Sequence, residues 1–372
     1  MKKKHLIWIT FNAFIDTDIY VVKELVKYYY INWYIIRSEN DKFEYLDYID
    51  NIKNTTDIKV ELSVCGKRLR SFKSLIYYNK LLSKLNANKD SVIFTSMGGA
   101  PYFIPVLALK SNKKRTIVAI HNVHVPKGGT NYIFFKLYNK LTIKKFKNFV
   151  TYSKSQYSDL SKLTNNNKNI LYVPFILKDY GVPNSQRKSK EITFLSFGNI
   201  RDYKRIDVLI EASQKVYELT KKKFKVIIAG QCNDWEKYQK LIKYDFLFDL
   251  RIKRIENEEI PNLFNESDFF VAPYQDIAQS GSSIIAINYS KPTIASRLPA
   301  FEEYIIDKET GYLIKPADVD SLSAIIKEII DSNLDNYDNM VRKLERNREI
   351  TFSTKTIVEK YRRYIDELYK EQ

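Results

Sequence analysis

Phe197-Gly198-Asn199-Ile200-Arg201-Asp202-Tyr203-Lys204-Arg205 stands between an apolar run at 192–197 and the segment Ile206-Asp207-Val208-Leu209-Ile210-Glu211-Ala212. The run reads as a buried strand, and the segment that follows has the apolar spacing of a helix. Glycine lets backbone come close to a ligand, and a helix N-terminus offers free N–H groups, so a strand, a glycine turn and cations before a helix make a place to hold an anion. Lys204 and its neighbours add formal positive charge. The stretch suggests a phosphate-bearing ligand near the middle of the chain. An ordinary βα turn with solvated lysines has the same composition, and these nine residues alone do not separate the two.

On either side the same alternation repeats. Short apolar runs are predicted as strands at 6–11, 33–36, 92–96, 116–121 and 149–152, and again at 192–197, 225–229, 250–255, 269–272 and 292–295. Amphipathic spacing between them predicts helices, among them 19–30, 206–219 and 283–289. This is the pattern of mostly parallel sheets covered on both faces. A chain of 372 residues is too long for one ordinary core. We therefore expect a domain at 1–175, a Gly/Pro/Asn/Ser-bearing linker at 176–190, a second domain at 191–350 and a terminal helical segment at 351–372.

Ligands of open α/β sheets bind at the carboxyl ends of strands. The run after 269–272, Pro273-Tyr274-Gln275-Asp276-Ile277-Ala278-Gln279-Ser280-Gly281-Ser282-Ser283, is such an end and leads into an apolar helix. N-capping explains one of its serines. Backbone N–H groups cradling a second set of phosphate oxygens would explain the whole Ser-Gly-Ser-Ser run.

Charge is unevenly placed. Residues 1–190 hold 33 Lys+Arg against 13 Asp+Glu, whereas 191–372 hold 28 against 31. The basic half points to an anionic partner, and nucleic acid and an acidic membrane surface both fit. A lysine-rich genome would raise lysine throughout, which leaves the asymmetry unexplained. Cys65 and Cys232 match no metal spacing and fit a reducing cytoplasm. The apolar start stops at Asn12 without a small-residue cleavage site and reads as a first strand. No stretch approaches the roughly 20 apolar residues that span a bilayer.

Taken in order, these pieces resemble the donor half of a GT-B glycosyltransferase, most similar to family 4 of the retaining enzymes. The resemblance rests on Gly198 with Lys204 six residues on, then the phosphate loop and helix. It continues through Ser290-Lys291-Pro292-Thr293-Ile294-Ala295-Ser296, the loop Leu298-Pro299-Ala300-Phe301-Glu302-Glu303 and the Thr310-Gly311-Tyr312-Leu313-Ile314 turn. The first half is similar more loosely, through a strand ending in His121-Asn122. The resemblance implies two Rossmann-like domains facing across a cleft, with a C-terminal helix crossing back to the first.

It also implies transfer of a sugar from a nucleotide-diphosphate sugar to a glycan or lipid-linked saccharide, as in bacterial surface polysaccharide synthesis, with no metal or other cofactor required. Lys204 and His121 are then the catalytic candidates. The donor candidates are Gly198, Asn199, Arg201, Arg205, Ile255, Glu256, Tyr274, Gln279, Ser280, Gly281, Ser282 and Glu303. The acceptor candidates are Asn12, Asp16, Asn122 and His124. The sequence departs from the family pattern in three places. Asn199 stands where an arginine is usual, the glycine pair after the first strand is missing, and Ile277 and Ile285 stand where many members have paired glutamates.

Lys136, Lys140 and Lys144 recur every four residues among aromatics at 132–145. That is the pattern of an interfacial helix, and equally of a surface helix with one apolar side in the core. A cytoplasmic protein, with peripheral attachment to the inner membrane face as an open expectation, fits these features. Another GT-B activity such as a sugar-nucleotide epimerase, a catalytically inactive partner subunit and, last, a basic nucleic-acid-binding protein are the rival readings. The last predicts a recognisable binding module, and none is found.

Overall fold

The computed structural model describes every residue except 1–2, 42, 44, 87–89, 97–99, 124–131, 179, 185–190, 278 and 371–372. It divides into two compact units, Met1–Ile176 with Phe352–Gln372, and Leu177–Thr351. The expected linker at 176–190 falls partly outside the described residues.

Among its described residues the first unit holds seven strands: β1 (Lys4–Phe11), β2 (Tyr29–Arg37), β3 (Lys59–Val64), β4 (Val92–Thr95), β5 (Thr116–Ile120), β6 (Asn148–Thr151) and β7 (Asn169–Tyr172). They pair in the order β3-β2-β1-β4-β5-β6-β7, all parallel. Successive strand side chains point to opposite faces. In β1, Leu6 and Trp8 join one buried cluster, while Ile7, Ile9 and Phe11 join the other. Both faces are therefore covered, which is why the strand reads as a continuous apolar run.

The C-terminal helix, Thr354–Lys370, lies on the Leu6–Trp8 face through Ile357, Tyr361, Ile365 and Leu368. Its phenols tie it to the sheet. Tyr364 accepts from Phe149 N at 3.0 Å and donates to Asn169 O at 2.7 Å, and Tyr369 accepts from Val92 N at 3.3 Å. The chain thus returns to the N-terminal region, as the resemblance implies.

The second unit holds β8 (Thr193–Phe197), β9 (Lys225–Ala229), β10 (Phe248–Arg251), β11 (Phe269–Ala272), β12 (Thr293–Ser296) and β13 (Gly311–Ile314). The order is β10-β9-β8-β11-β12-β13, again all parallel. Each sheet reverses its strand order once, between β1 and β4 and between β8 and β11. Crevices for ligands open at such switch points.

Local expectations need correction at the margins. The helix expected at 19–30 is Ile15–Leu25, because Tyr29 and Tyr30 already belong to β2. The strand expected at 250–255 is β10, which ends at Arg251. Strands β3, β7 and β13 had no counterpart among the expected runs. All four of these strands lie at sheet edges, and in β3, β7 and β10 the buried pattern is diluted.

Candidate functional site

The turn after β8 is shaped by glycine. Gly198 sits at φ +100°, a conformation glycine adopts at little cost. Its N–H donates to Ala229 O at 2.9 Å, at the end of the neighbouring strand. A Cβ on Gly198 would stand 2.7 Å from Ser282 Oγ and 3.1 Å from Lys204 Nζ. Two side chains from distant parts of the sequence therefore converge on this one backbone position. Gly230, at φ +148°, carries the other half of the approach, since a Cβ there would meet Gly198 O at 2.3 Å.

Lys204 closes a short 3-10 turn, Asp202–Lys204, and Arg205 follows at φ +51°. The turn sends the Lys204 side chain inward, where it is only 6% exposed. Its ammonium donates to Phe197 O at 3.3 Å and lies 5.5 Å from the centre of the Tyr274 ring. Burial pushes its pKa down to about 8. No carboxylate pairs with it among the described residues. A cation taken out of water with so little compensation favours an anionic ligand beside it.

The opposite wall comes from the loop after β11. Tyr274 is fully buried and packs edge-on against Tyr203 (5.8 Å) and Phe301 (5.5 Å). Burial raises its phenol pKa, and Ser280 and Ser282 lie beside the hydroxyl. Gln275 N donates to Tyr203 O at 2.8 Å, joining this loop to the Lys204 turn. Ser280 caps the helix Gly281–Asn288 by accepting from Ser283 N at 3.3 Å. Gly281 opens that helix with empty space where a side chain would be. Ser280 is thus the cap, and Ser282 instead faces Gly198. Gln279 presents a buried Nε2 without a partner among the described residues.

The remaining donor candidates are placed differently. Arg205 is held by Asp207, with Nε 3.0 Å from Oδ1 and a terminal nitrogen 2.7 Å from Oδ2. Asn199 and Arg201 are exposed, and no carboxylate pairs with Arg201 among the described residues. Ile255 lies past the end of β10 and packs on the core. Glu256 takes part in a capping box with Glu259 and pairs with Arg254 at 3.4 Å. Glu303 is half-buried after the short helix Pro299–Glu302.

In the first unit His121 follows β5. Its ring lies in an aromatic column, 4.1 Å from Phe14 and 4.7 Å from Tyr152, with Phe175 stacked on Tyr152 at 4.8 Å. The ring bonds the Ser96 backbone, while Nε2 is enclosed with no partner among the described residues. Burial pushes its pKa down to about 4, so the imidazole is neutral at physiological pH. Of the acceptor candidates, Asn12 opens the turn after β1, two residues before Phe14. Asp16 lies in the first turn of Ile15–Leu25, and Asn122 is exposed with its carbonyl bonded by Asn139 at 2.6 Å. His124 lies outside the described residues.

Sequence reading missed Asp18, which is 2% exposed beneath this column. It accepts from Trp8 Nε1 at 3.0 Å, from Thr10 Oγ1 at 2.5 Å and from Ser96 Oγ. Trp33 Nε1 in turn donates to Thr10 Oγ1 at 2.9 Å. Burial raises the Asp18 pKa to about 6 against the lowering effect of its donors. A signal was present: Asp18 falls on the apolar stripe of Ile15, Ile19 and Val22, where an acid must find partners.

Among the described residues no group of three or more His, Cys, Asp or Glu could hold a metal ion, and no helix is long and apolar enough to cross a membrane.

Residues 182–348 match the model of the family described as glycosyl transferases group 1. No curated protein matches the chain by sequence. Among solved structures, a glycosyltransferase from Rickettsia africae is similar at 16% identity and TM-score 0.74, over 100% of both chains. Anabaena HepE in complex with UDP and glucose is similar at 13% identity and TM-score 0.73, over 98% of this chain and 100% of that one. A variant of S. aureus TarM, in a complex that includes UDP, is similar at 20% identity and TM-score 0.63. That last match covers 79% of this chain and 59% of TarM, so the chain spans about three-fifths of TarM's length. At these identities the likeness is one of fold.

Proposed function

We propose, on the premise that the chain is a glycosyltransferase of the GT-B fold whose second unit belongs to the glycosyl transferases group 1, that it moves a sugar from a UDP-sugar to a glycan or lipid-linked saccharide. The observation that carries the reading is the convergence of the buried Lys204 ammonium and Ser282 on the Gly198 backbone. UDP is the favoured nucleotide because two of the similar structures hold it.

As the glycosidic bond breaks, negative charge builds on the departing diphosphate. Lys204, the backbone at Gly198 and the start of the helix Gly281–Asn288 stabilise that charge without moving. Electrostatic preorganisation of this kind is worth roughly 3–4 kcal/mol per contact removed. Arg201, exposed and without a carboxylate partner among the described residues, takes the role of the arginine that Asn199 replaces. His121, neutral and with Nε2 free to bond, positions a sugar or acceptor hydroxyl rather than supplying charge. Retention of anomeric configuration follows the family resemblance.

The helix Tyr132–Lys145 offers a route to a surface. Ile133 and Leu137 are 72% and 62% exposed, and Lys136, Lys140 and Lys144 are exposed with them. Apolar residues flanked by lysines favour an anionic bilayer, so the protein works at the inner membrane face in surface polysaccharide assembly. Failure to sediment with anionic vesicles at low salt would remove this element.

The donor site is tested by thermal shift with UDP, GDP, ADP and dTDP and their sugars, on the native protein and on Lys204→Ala. A ligand that binds only the folded state raises the melting temperature. UDP should raise it, and the variant should abolish the rise. No shift from any nucleotide would favour an inactive partner subunit.

A further inference from the structure

We propose that the first unit has a built site for a phosphate-bearing acceptor, lined by Lys67, Arg68 and Arg70 and walled by Tyr102, Phe134 and Phe135. This rests on the glycosyltransferase reading, which it extends by naming the acceptor's chemistry. The cavity is about 500 Å³, within the usual range for small-ligand sites. It lies beyond the carboxyl ends of β2, β3 and β4, the side of a parallel sheet where ligands bind.

The cationic loop is held in place before any ligand arrives. Gly66 turns the chain at φ +143°, where a Cβ would stand 2.8 Å from Ser71 Oγ. On one flank, Cys65 N donates to Arg37 O at 3.0 Å and Glu39 N donates to Gly66 O at 3.0 Å. On the other, the fully buried Ser74 and Tyr78 donate to the carbonyls of Arg68 and Leu69, at 2.6 and 2.9 Å. The backbone is fixed, and the three long side chains point away from it, exposed. Rigid presentation of this kind lowers the cost of ordering the loop on binding.

The charge is uncompensated. Among the described residues no acidic side chain lines the cavity, and none of the three cations has a carboxylate partner. The nearby carboxylate of Asp41 is taken up by Ser38 N at 2.7 Å. Three cations within four residues suit a multiply charged anion, and paired guanidinium groups suit phosphate oxygens. Tyr102 and Phe134, 38% and 37% exposed, offer flat faces for the apolar side of a sugar ring. An acceptor that joins a sugar to a phosphate or diphosphate satisfies both walls at once.

The phosphate can come from a soluble sugar phosphate or from a polyprenyl-linked one. Isothermal titration with inorganic pyrophosphate and with glucose 1-phosphate, on Lys204→Ala so that the nucleotide site is silent, reads the cavity alone. Binding should persist in that background and weaken tenfold or more in Lys204→Ala/Arg68→Gln/Arg70→Gln. The UDP-induced thermal shift of Arg68→Gln/Arg70→Gln should equal that of the native protein. Co-sedimentation with phosphatidylcholine vesicles carrying a polyprenyl phosphate, lost in the double variant, assigns the lipid source. Titration without co-sedimentation assigns the soluble one. Phosphate binding that is absent in the Lys204→Ala background, or that survives both arginine replacements, overturns the proposal. Because UDP binding is read separately, that outcome is distinct from failure of the donor site.

Discussion

Lys204 Nζ donates to the carbonyl of Phe197, seven residues earlier, across 3.3 Å. Among the described residues that long bond and the face of Tyr274 are what the protein supplies to an ammonium 6% exposed to solvent. Its depressed pKa, about 8 against an ordinary 10.5, means the unfolded chain holds this proton more tightly than the folded one. The burial penalty is on the order of 3 kcal/mol, is fully present below pH 8, and disappears as pH rises from 8 towards 10.5. We expect Lys204→Met to raise the unliganded melting temperature at pH 7 while lowering kcat by about a hundredfold to a thousandfold. Native affinity for UDP should fall as pH climbs above 8, and that fall should be missing in the variant. Calorimetry across pH 6.5–9.5 measures both.

Gly198→Ala should damage the same site by geometry instead of charge. The added methyl meets Ser282 and Lys204, and φ +100° is strained for any other residue. A cost of about 1–3 kcal/mol in stability is expected, with loss of the UDP-induced thermal shift. Retention of native UDP affinity in a folded Gly198→Ala protein would show that the ligand does not approach this turn.

The two arginines beside Lys204 separate cleanly. Arg205 is neutralised by Asp207 through two well-formed contacts, whereas Arg201 is exposed without such a partner among the described residues. Arg201→Ala should raise the KM for the UDP-sugar about tenfold, equivalent to roughly 1.4 kcal/mol. Arg205→Ala should change stability by less than about 1 kcal/mol and leave KM near native. Initial-rate kinetics on the pair decide it.

Asp18 and His121 meet at Ser96, through its hydroxyl and its backbone respectively. Their titrations oppose each other. His121, lowered to about 4 from 6.5, loses stability as pH falls through that window. Asp18, raised to about 6 from 3.8, gains stability as pH falls through nearly the same window. Asp18→Asn should therefore make the protein more acid-sensitive between pH 6.5 and 4, and His121→Phe less so. Asp18→Ala should cost about 3–5 kcal/mol at pH 7, because Trp8, Thr10 and Ser96 lose their shared acceptor. Urea unfolding as a function of pH follows all three variants.

The glycine turn after β8 and the Ser-Gly-Ser-Ser helix start were legible as local structure because their signals are local. Gly198, Lys204, Ser280 and Ser282 each lie in a short run whose backbone behaviour follows from residue type. The cavity lined by Lys67, Arg68 and Arg70, from the loop after β3, was not legible. That strand went unrecognised: Leu62 and Val64 are 37% and 44% exposed, so its apolar pattern has no buried face to mark it.

By itself the sequence determined the alternation of strands and helices in two successive halves and the glycine turn before a cationic helix start. Each follows from periodicity and backbone preference within a few consecutive residues. Tertiary structure alone decided that Lys204 is buried and Arg201 exposed, that Arg205 is occupied by Asp207, that Asp18 anchors a buried network, and where β3, β7 and β13 run. Those outcomes depend on which distant groups exclude water from a side chain or supply its hydrogen bonds. Burial and partnership between residues far apart in sequence arise only when the sheets assemble.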